Sequence, residues 1–107
     1  MTGQHFLNKL EDNPYRKAVV YKYQLLLEDG DRHVVPMPVE AEIIHVGIQG
    51  STICMWAIVN PLAEKEDRYF QIVGTGIQFE QAFTTRYHAT VQMGAFVWHI
   101  FEQVGGF

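Results

Sequence analysis

The segment from Met37 to Pro61, MPVEAEIIHVGIQGSTICMWAIVNP, constrains the fold more than any other part of the chain. It reads as a β-hairpin turning at Gln49-Gly50-Ser51, and its second arm, Ile53 to Val59, carries no charged side chain. Successive side chains on a strand point to opposite faces, so this arm is apolar on both. Such a strand needs cover on both sides, and a chain of 107 residues has little material to supply it. The expectation is a compact β domain whose sheet is completed by a second subunit.

The rest of the chain fits short strands joined by turns. Residues 1–15 are polar and end at Asn13-Pro14, a turn or helix-stop signal. Phe6, Leu7 and Leu10 have helical spacing, which suits either a docking helix or a loose tail. This extension precedes a single β domain over residues 16–107. From Lys17 to Leu27, Val19, Tyr21, Tyr23, Leu25 and Leu27 alternate with Val20, Lys22, Gln24 and Leu26, as in a half-buried strand. Glu28-Asp29-Gly30-Asp31 predicts a hairpin turn, Gly30 supplying a positive φ, into a second strand from Arg32 to Met37. Pro36 and Pro38 put that strand at an edge, because proline cannot donate to a ladder.

Ala41 to Gln49 alternates with Ile44, Val46 and Ile48 on one side and Ile43, His45 and Gln49 on the other. After Asn60-Pro61, LAEKEDR reads as a solvated connection, and Tyr69 to Val73 as a fifth strand. Gln78 to Thr85 has room for a helical turn, Tyr87 to Met93 alternates once more, and Phe96 to Glu102 closes the sheet. The fold class is therefore all-β, mainly antiparallel: a compact sandwich or small barrel of six to seven short strands with at most one short helix.

Charge and composition narrow the function. A formal charge of −4 argues against a partner that is a DNA or RNA polymer, which calls for a dense basic surface. A small anion held by one or two local arginines remains compatible. The single cysteine, Cys54, lies in the apolar arm and behaves as a small buried hydrophobe. The opening residues lack a continuous apolar stretch of the secretory kind, and no run approaches the roughly 20 apolar residues of a membrane span. A cytoplasmic protein with no membrane partner is expected.

No catalytic or metal-ligating pattern stands out. Gly74-Thr75-Gly76 follows a strand, where glycines admit close approach of a ligand to backbone amides; the bland alternative is a tight corner. His88 and His99 lie on adjacent strands and can face each other, but no third and fourth zinc ligand has suitable spacing. Hydrogen-bonded structural histidines are the plainer reading. Glu40, Glu42, Glu80 and Glu102 are scattered, Glu102 alone following an aromatic strand, and no nucleophile–base–orienter arrangement is evident. The chain reads as non-enzymatic, with no cofactor. More suggestive are the doublets Arg68-Tyr69, Arg86-Tyr87 and Trp98-His99. An aromatic face stacks a nucleobase and an arginine fork holds a phosphate, although Tyr and Trp also pack well between strands.

Three segments, MPVEAEIIHVGIQGSTICMWAIVNP, YFQIVGTG and GAFVWHIFE, resemble a family of small phage proteins. That family has an MP-x-x-A-x-I-L-x-V strand, a C-L-W-A-x-V strand, a V-G-T-G corner and a V-W-H-V-F-E end. The resemblance runs from about Tyr21 to Glu102, with Met55 in place of Leu and Ile100 in place of Val; residues 1–15 lie outside it. The family is identified as including the phage anti-CBASS sponges, which bind cyclic dinucleotides such as 3′,3′-cGAMP without cleaving them. The resemblance implies a homo-oligomer, a tetramer, with ligand between subunits in the cytoplasm of an infected cell. Residue chemistry, rather than the resemblance, supplies the candidate contacts. Tyr69, Tyr87 and Trp98 would stack bases, and Arg68 and Arg86 would neutralise phosphates. Gly74, Thr75, Gly76 and His99 would add polar contacts. The competing expectation is a phage accessory module that inhibits a host protein by direct binding.

Overall fold

The computed structural model describes residues 17–80 and 85–105. The expected N-terminal extension, 1–15, lies outside them, as do residues 81–84 of the ambiguous segment. The described residues form an all-β, antiparallel sandwich of seven strands without an α-helix. The strands are β1 (Val19–Leu25), β2 (Arg32–Pro38), β3 (Glu42–Gln49), β4 (Thr52–Val59), β5 (Lys65–Gly74), β6 (Thr85–Met93) and β7 (Phe96–Gln103). One sheet has the order β1-β4-β3 and the other β2-β5-β7-β6. No helix among the described residues is long and apolar enough to cross a membrane.

The inner faces meet in a core led by Leu25, Met37, Ile53, Met55 and Ile100, all fully buried. Burying a side chain of this size stabilises by about 1.5–3 kcal/mol. The apolar arm is β4, the centre of the three-stranded sheet, with Ile53, Met55, Ala57 and Val59 turned into the core. Its outer face is partly covered within the chain. Cys54 pairs with Gln24 on one side and Gly47 on the other and is fully buried. Lys22 Nζ reaches across β4 to donate to Gln49 Oε1 at 2.6 Å. The His45 ring lies 5.5 Å from that of Trp56. Further along, Val20, Ile44 and Ile58 stay exposed.

Several sequence expectations change. Glu28 to Asp31 does not make a hairpin: a 3-10 turn at Leu27–Asp29 carries the chain from β1 in one sheet to β2 in the other. Gly30 does take a positive φ, +98°, but turn chemistry cannot say which sheet the next strand joins. β2 is an edge strand, as its prolines require. The chain crosses back through a turn at Pro38–Ala41, closed by Ala41 N–H donating to Pro38 O, with Glu40 at φ +66°.

A β-bulge at Ile44 overturns the alternation expected for β3. Ile43 packs on the core with Val46 and Ile48, whereas Ile44 is exposed. The presumed connection LAEKEDR is half strand: β5 begins at Lys65, and Lys65 to Arg68 pair with Pro38 to Val35 of β2. Charge there marks a solvated strand end rather than a loop. Finally β7 is an inner strand flanked by β5 and β6, so β6 rather than β7 closes the sheet. The candidate helical turn is non-helical over residues 78–80, and Thr85 already belongs to β6.

Candidate functional site

The four-stranded sheet turns its second face away from the sandwich, and ladder register fixes what that face presents. Across β2, β5, β7 and β6, one row reads Arg32, Gln71, Phe101, Tyr87. The row beside it reads Val34, Tyr69, Gln103, Thr85. On the other side, Val73, His99 and Thr90 continue the pattern. A cleft of about 470 Å³ opens over the first two rows, lined by Arg32, Tyr69, Gln71, Phe101 and Gln103 among others.

One wall of the cleft is the chain that leaves β5. Gly74 to Ile77 form a turn closed by Ile77 N–H donating to Gly74 O at 3.1 Å. Gly76 at its third position has φ +84°, which type II geometry demands and a side chain resists. Phe79 then stacks on Phe101, ring centres 5.3 Å apart at 27°. Glu80 Oε1 lies 3.7 Å from Arg32 Nη2, both side chains largely exposed. Tyr87 meets Phe101 edge-on at 5.7 Å.

A hydrogen-bond chain runs beside the cleft. Tyr87 Oη lies 2.7 Å from Thr90 Oγ1, which lies 2.9 Å from His99 Nδ1, and His99 Nε2 lies 2.8 Å from Thr75 Oγ1. A neutral imidazole donates from one nitrogen and accepts at the other, so the two threonine hydroxyls take opposite roles. The Thr75 N–H also donates to Val97 O, pinning the corner to β7.

Each candidate doublet splits between faces, as neighbours on a strand must. Tyr69, Tyr87 and His99 face the cleft side, with Thr75, Gly74 and Gly76 at its corner. Arg68 and Trp98 lie on the face turned to the other sheet, and exposed Arg86 pairs in register with inward-facing Glu102. Arg68 is committed there: Nε and Nη2 donate to Glu102 at 2.6 and 2.9 Å, and Nη1 donates to Ala41 O at 2.7 Å. A bulge between Tyr87 and Ala89 turns His88 inward, Nε2 lying 2.8 Å from Glu102 Oε1. His88 and His99 therefore do not face each other. Glu102 is 3% exposed. Burial alone would raise its carboxyl, but the hydrogen bonds and charges of Arg68 and His88 outweigh that and bring it down to about 2. Trp98 packs against Phe96, and its buried indole N–H has no hydrogen-bond partner among the described residues.

The sequence reading missed Arg32, Gln71, Phe79, Phe101 and Gln103. Alternation in VWHIFE carried a usable signal: an inward Glu102 puts Phe101 and His99 together on the other face. Nothing local connects Arg32 to Glu80. No group of three His, Cys, Asp or Glu among the described residues is placed to hold a metal.

The chain belongs to the family described as Domain of unknown function (DUF7352), whose model matches residues 16–106. No curated protein and no solved structure matches the chain.

Proposed function

We propose that this protein is a non-catalytic binding protein that sequesters a small anionic ligand with planar rings, and that the ligand is a cyclic dinucleotide such as 3′,3′-cGAMP. The observation that carries this reading is the outer-face cleft, where the Arg32 guanidinium, Phe101 and Tyr69 line one concave space of about 470 Å³. That volume is ordinary for a small-molecule site, which spans roughly 300–1,000 Å³. A base stacked on an aromatic side chain gains roughly 1–3 kcal/mol, and a guanidinium grips a phosphate through paired hydrogen bonds. Gln71 and Gln103 add donors and acceptors for base edges. The site set becomes Arg32, Tyr69, Gln71, Phe101 and Gln103, with Thr75, Tyr87 and His99 at its margin. Arg68 and Trp98 drop out, being engaged on the other face.

The phage resemblance over Tyr21 to Glu102 supports the ligand class and points to the cytoplasm of an infected bacterium. Among the described residues one arginine lines the cleft, and a cyclic dinucleotide carries two phosphates, so a second copy of the chain is the natural source of the other cation. This supports a homo-oligomer, and the phage resemblance suggests a tetramer. A second reading, an inhibitor that binds a host protein directly, is favoured by one observation: the exposed Val20, Ile44 and Ile58 on the three-stranded sheet.

A thermal-shift panel of cyclic dinucleotides and linear controls tests the first reading, since a ligand that binds only the folded state raises the midpoint. A shift with one cyclic dinucleotide, recovered intact after heating and abolished by Arg32→Ala, is expected. No shift with any member favours the host-protein reading, and recovery of cleaved ligand replaces binding with catalysis.

A further inference from the structure

We infer that residues 77–80, in the wall of the cleft, mask its recognition groups, Phe79 covering the ring of Phe101 and Glu80 neutralising Arg32, the two groups that a ligand's ring and anion would engage. This rests on the ligand-site reading and deepens it, because the mask describes what it excludes. Phe79 covers Phe101 in stacked geometry at 5.3 Å, and Glu80 sets a carboxylate 3.7 Å from the guanidinium of Arg32. Ring and anion are adjacent residues of one chain, separated by a single peptide step. The ligand class that duplicates them joins a planar ring to an anionic group over a comparable span, as a nucleotide or an aromatic sulfonate does.

The segment is aimed at the cleft and weakly held there. The Gly76 corner, closed by the Ile77-to-Gly74 hydrogen bond and anchored by Thr75 to β7, turns the chain back over the sheet. Beyond the corner, residues 77–80 adopt no regular structure, and the Arg32–Glu80 pair is solvent-exposed. One ring stack and one exposed ion pair are modest interactions, so a ligand can displace them. While they persist, apparent affinity is reduced by the fraction of molecules whose cleft is open.

The test is a fluorescence titration with anilinonaphthalene sulfonate, an aromatic anion of the stated class. The Phe79→Ala/Glu80→Ala double variant should bind it roughly tenfold more tightly than the unaltered chain, the open fraction rising toward one. Adding Arg32→Ala should abolish the gain. Glu80→Gln alone, which leaves packing intact, is the milder arm, expected to tighten binding about threefold. Urea midpoints confirm that each variant is folded. Unchanged or weaker affinity in both the double variant and Glu80→Gln overturns the inference, as does a gain that survives Arg32→Ala. Cyclic dinucleotides titrated in parallel judge the proposed function separately: if they bind neither protein while the sulfonate follows the expected order, the masking of Phe101 and Arg32 stands and the nucleotide assignment falls.

Discussion

Glu102 is the residue on which the inner face of the four-stranded sheet turns. Its carboxylate is buried, yet both oxygens are engaged, by Arg68 and His88. Breaking one side of a buried pair strands the other charge away from water, so Arg68→Ala is expected to cost about 3–5 kcal/mol in urea unfolding. The linkage has a definite sign. With its carboxyl down at about 2 instead of the ordinary 4.5, Glu102 stabilises the fold fully above pH 4.5, and that contribution drains away as pH falls toward 2. Glu102→Gln should lower stability at neutral pH and flatten this acid limb; an unchanged limb places acid sensitivity elsewhere. Glu40 is the opposite case, a side-chain-bearing residue at φ +66°. Relieving a left-handed L-residue is worth about 1 kcal/mol, so Glu40→Gly is expected to raise the thermal midpoint by about 5 °C. Neither feature was visible residue by residue. Glu102 stood out only for following an aromatic strand, and its partners lie on β5 and β6.

At the level of elements, the sequence was most readable where pairing is local. The Gly50-Ser51 turn fixes the β3–β4 hairpin, and the prolines of β2 mark an edge. It was least readable where a turn changes sheets, because Gly30 satisfies either path. Bulges add a second loss. One extra residue at Ile44 exchanges the faces of Ile43 and Ile44, and one near His88 delivers that ring to Glu102. Doublets hid the candidate site, because a strand presents only one member of Arg68-Tyr69 or Trp98-His99 to a given face. The corner before the cleft gives a prediction of its own. Gly76→Ala must hold a methyl group at φ +84°, costing about 1 kcal/mol in urea unfolding. The same change should loosen residues 77–80, read as faster amide hydrogen exchange there while the β5–β7 ladder stays protected.

The whole molecule is a sandwich with two unlike outer faces. The four-stranded face carries the cleft and its polar margin, and the three-stranded face carries exposed Val20, Ile44 and Ile58 further along the strands from the buried Cys54. If the second face joins copies of the chain, Ile58→Lys should reduce the particle to a monomer by light scattering while leaving the monomer's circular dichroism unchanged; unchanged mass would place the contact elsewhere. The crossing of the chain between sheets has a consequence in time. Val19 pairs with Val59, Arg32 with Gln71 and Tyr69 with Gln103, so most ladders close only after long stretches of chain have been gathered in. Among the described residues, only the β3–β4 and β6–β7 hairpins form between neighbours in sequence. Refolding should therefore run in milliseconds to seconds, with the hairpins as early islands and the edge strands β1 and β2 as late arrivals. Until they arrive, both flanks of the nascent core are open, and a newly made chain is at its most adhesive in that interval.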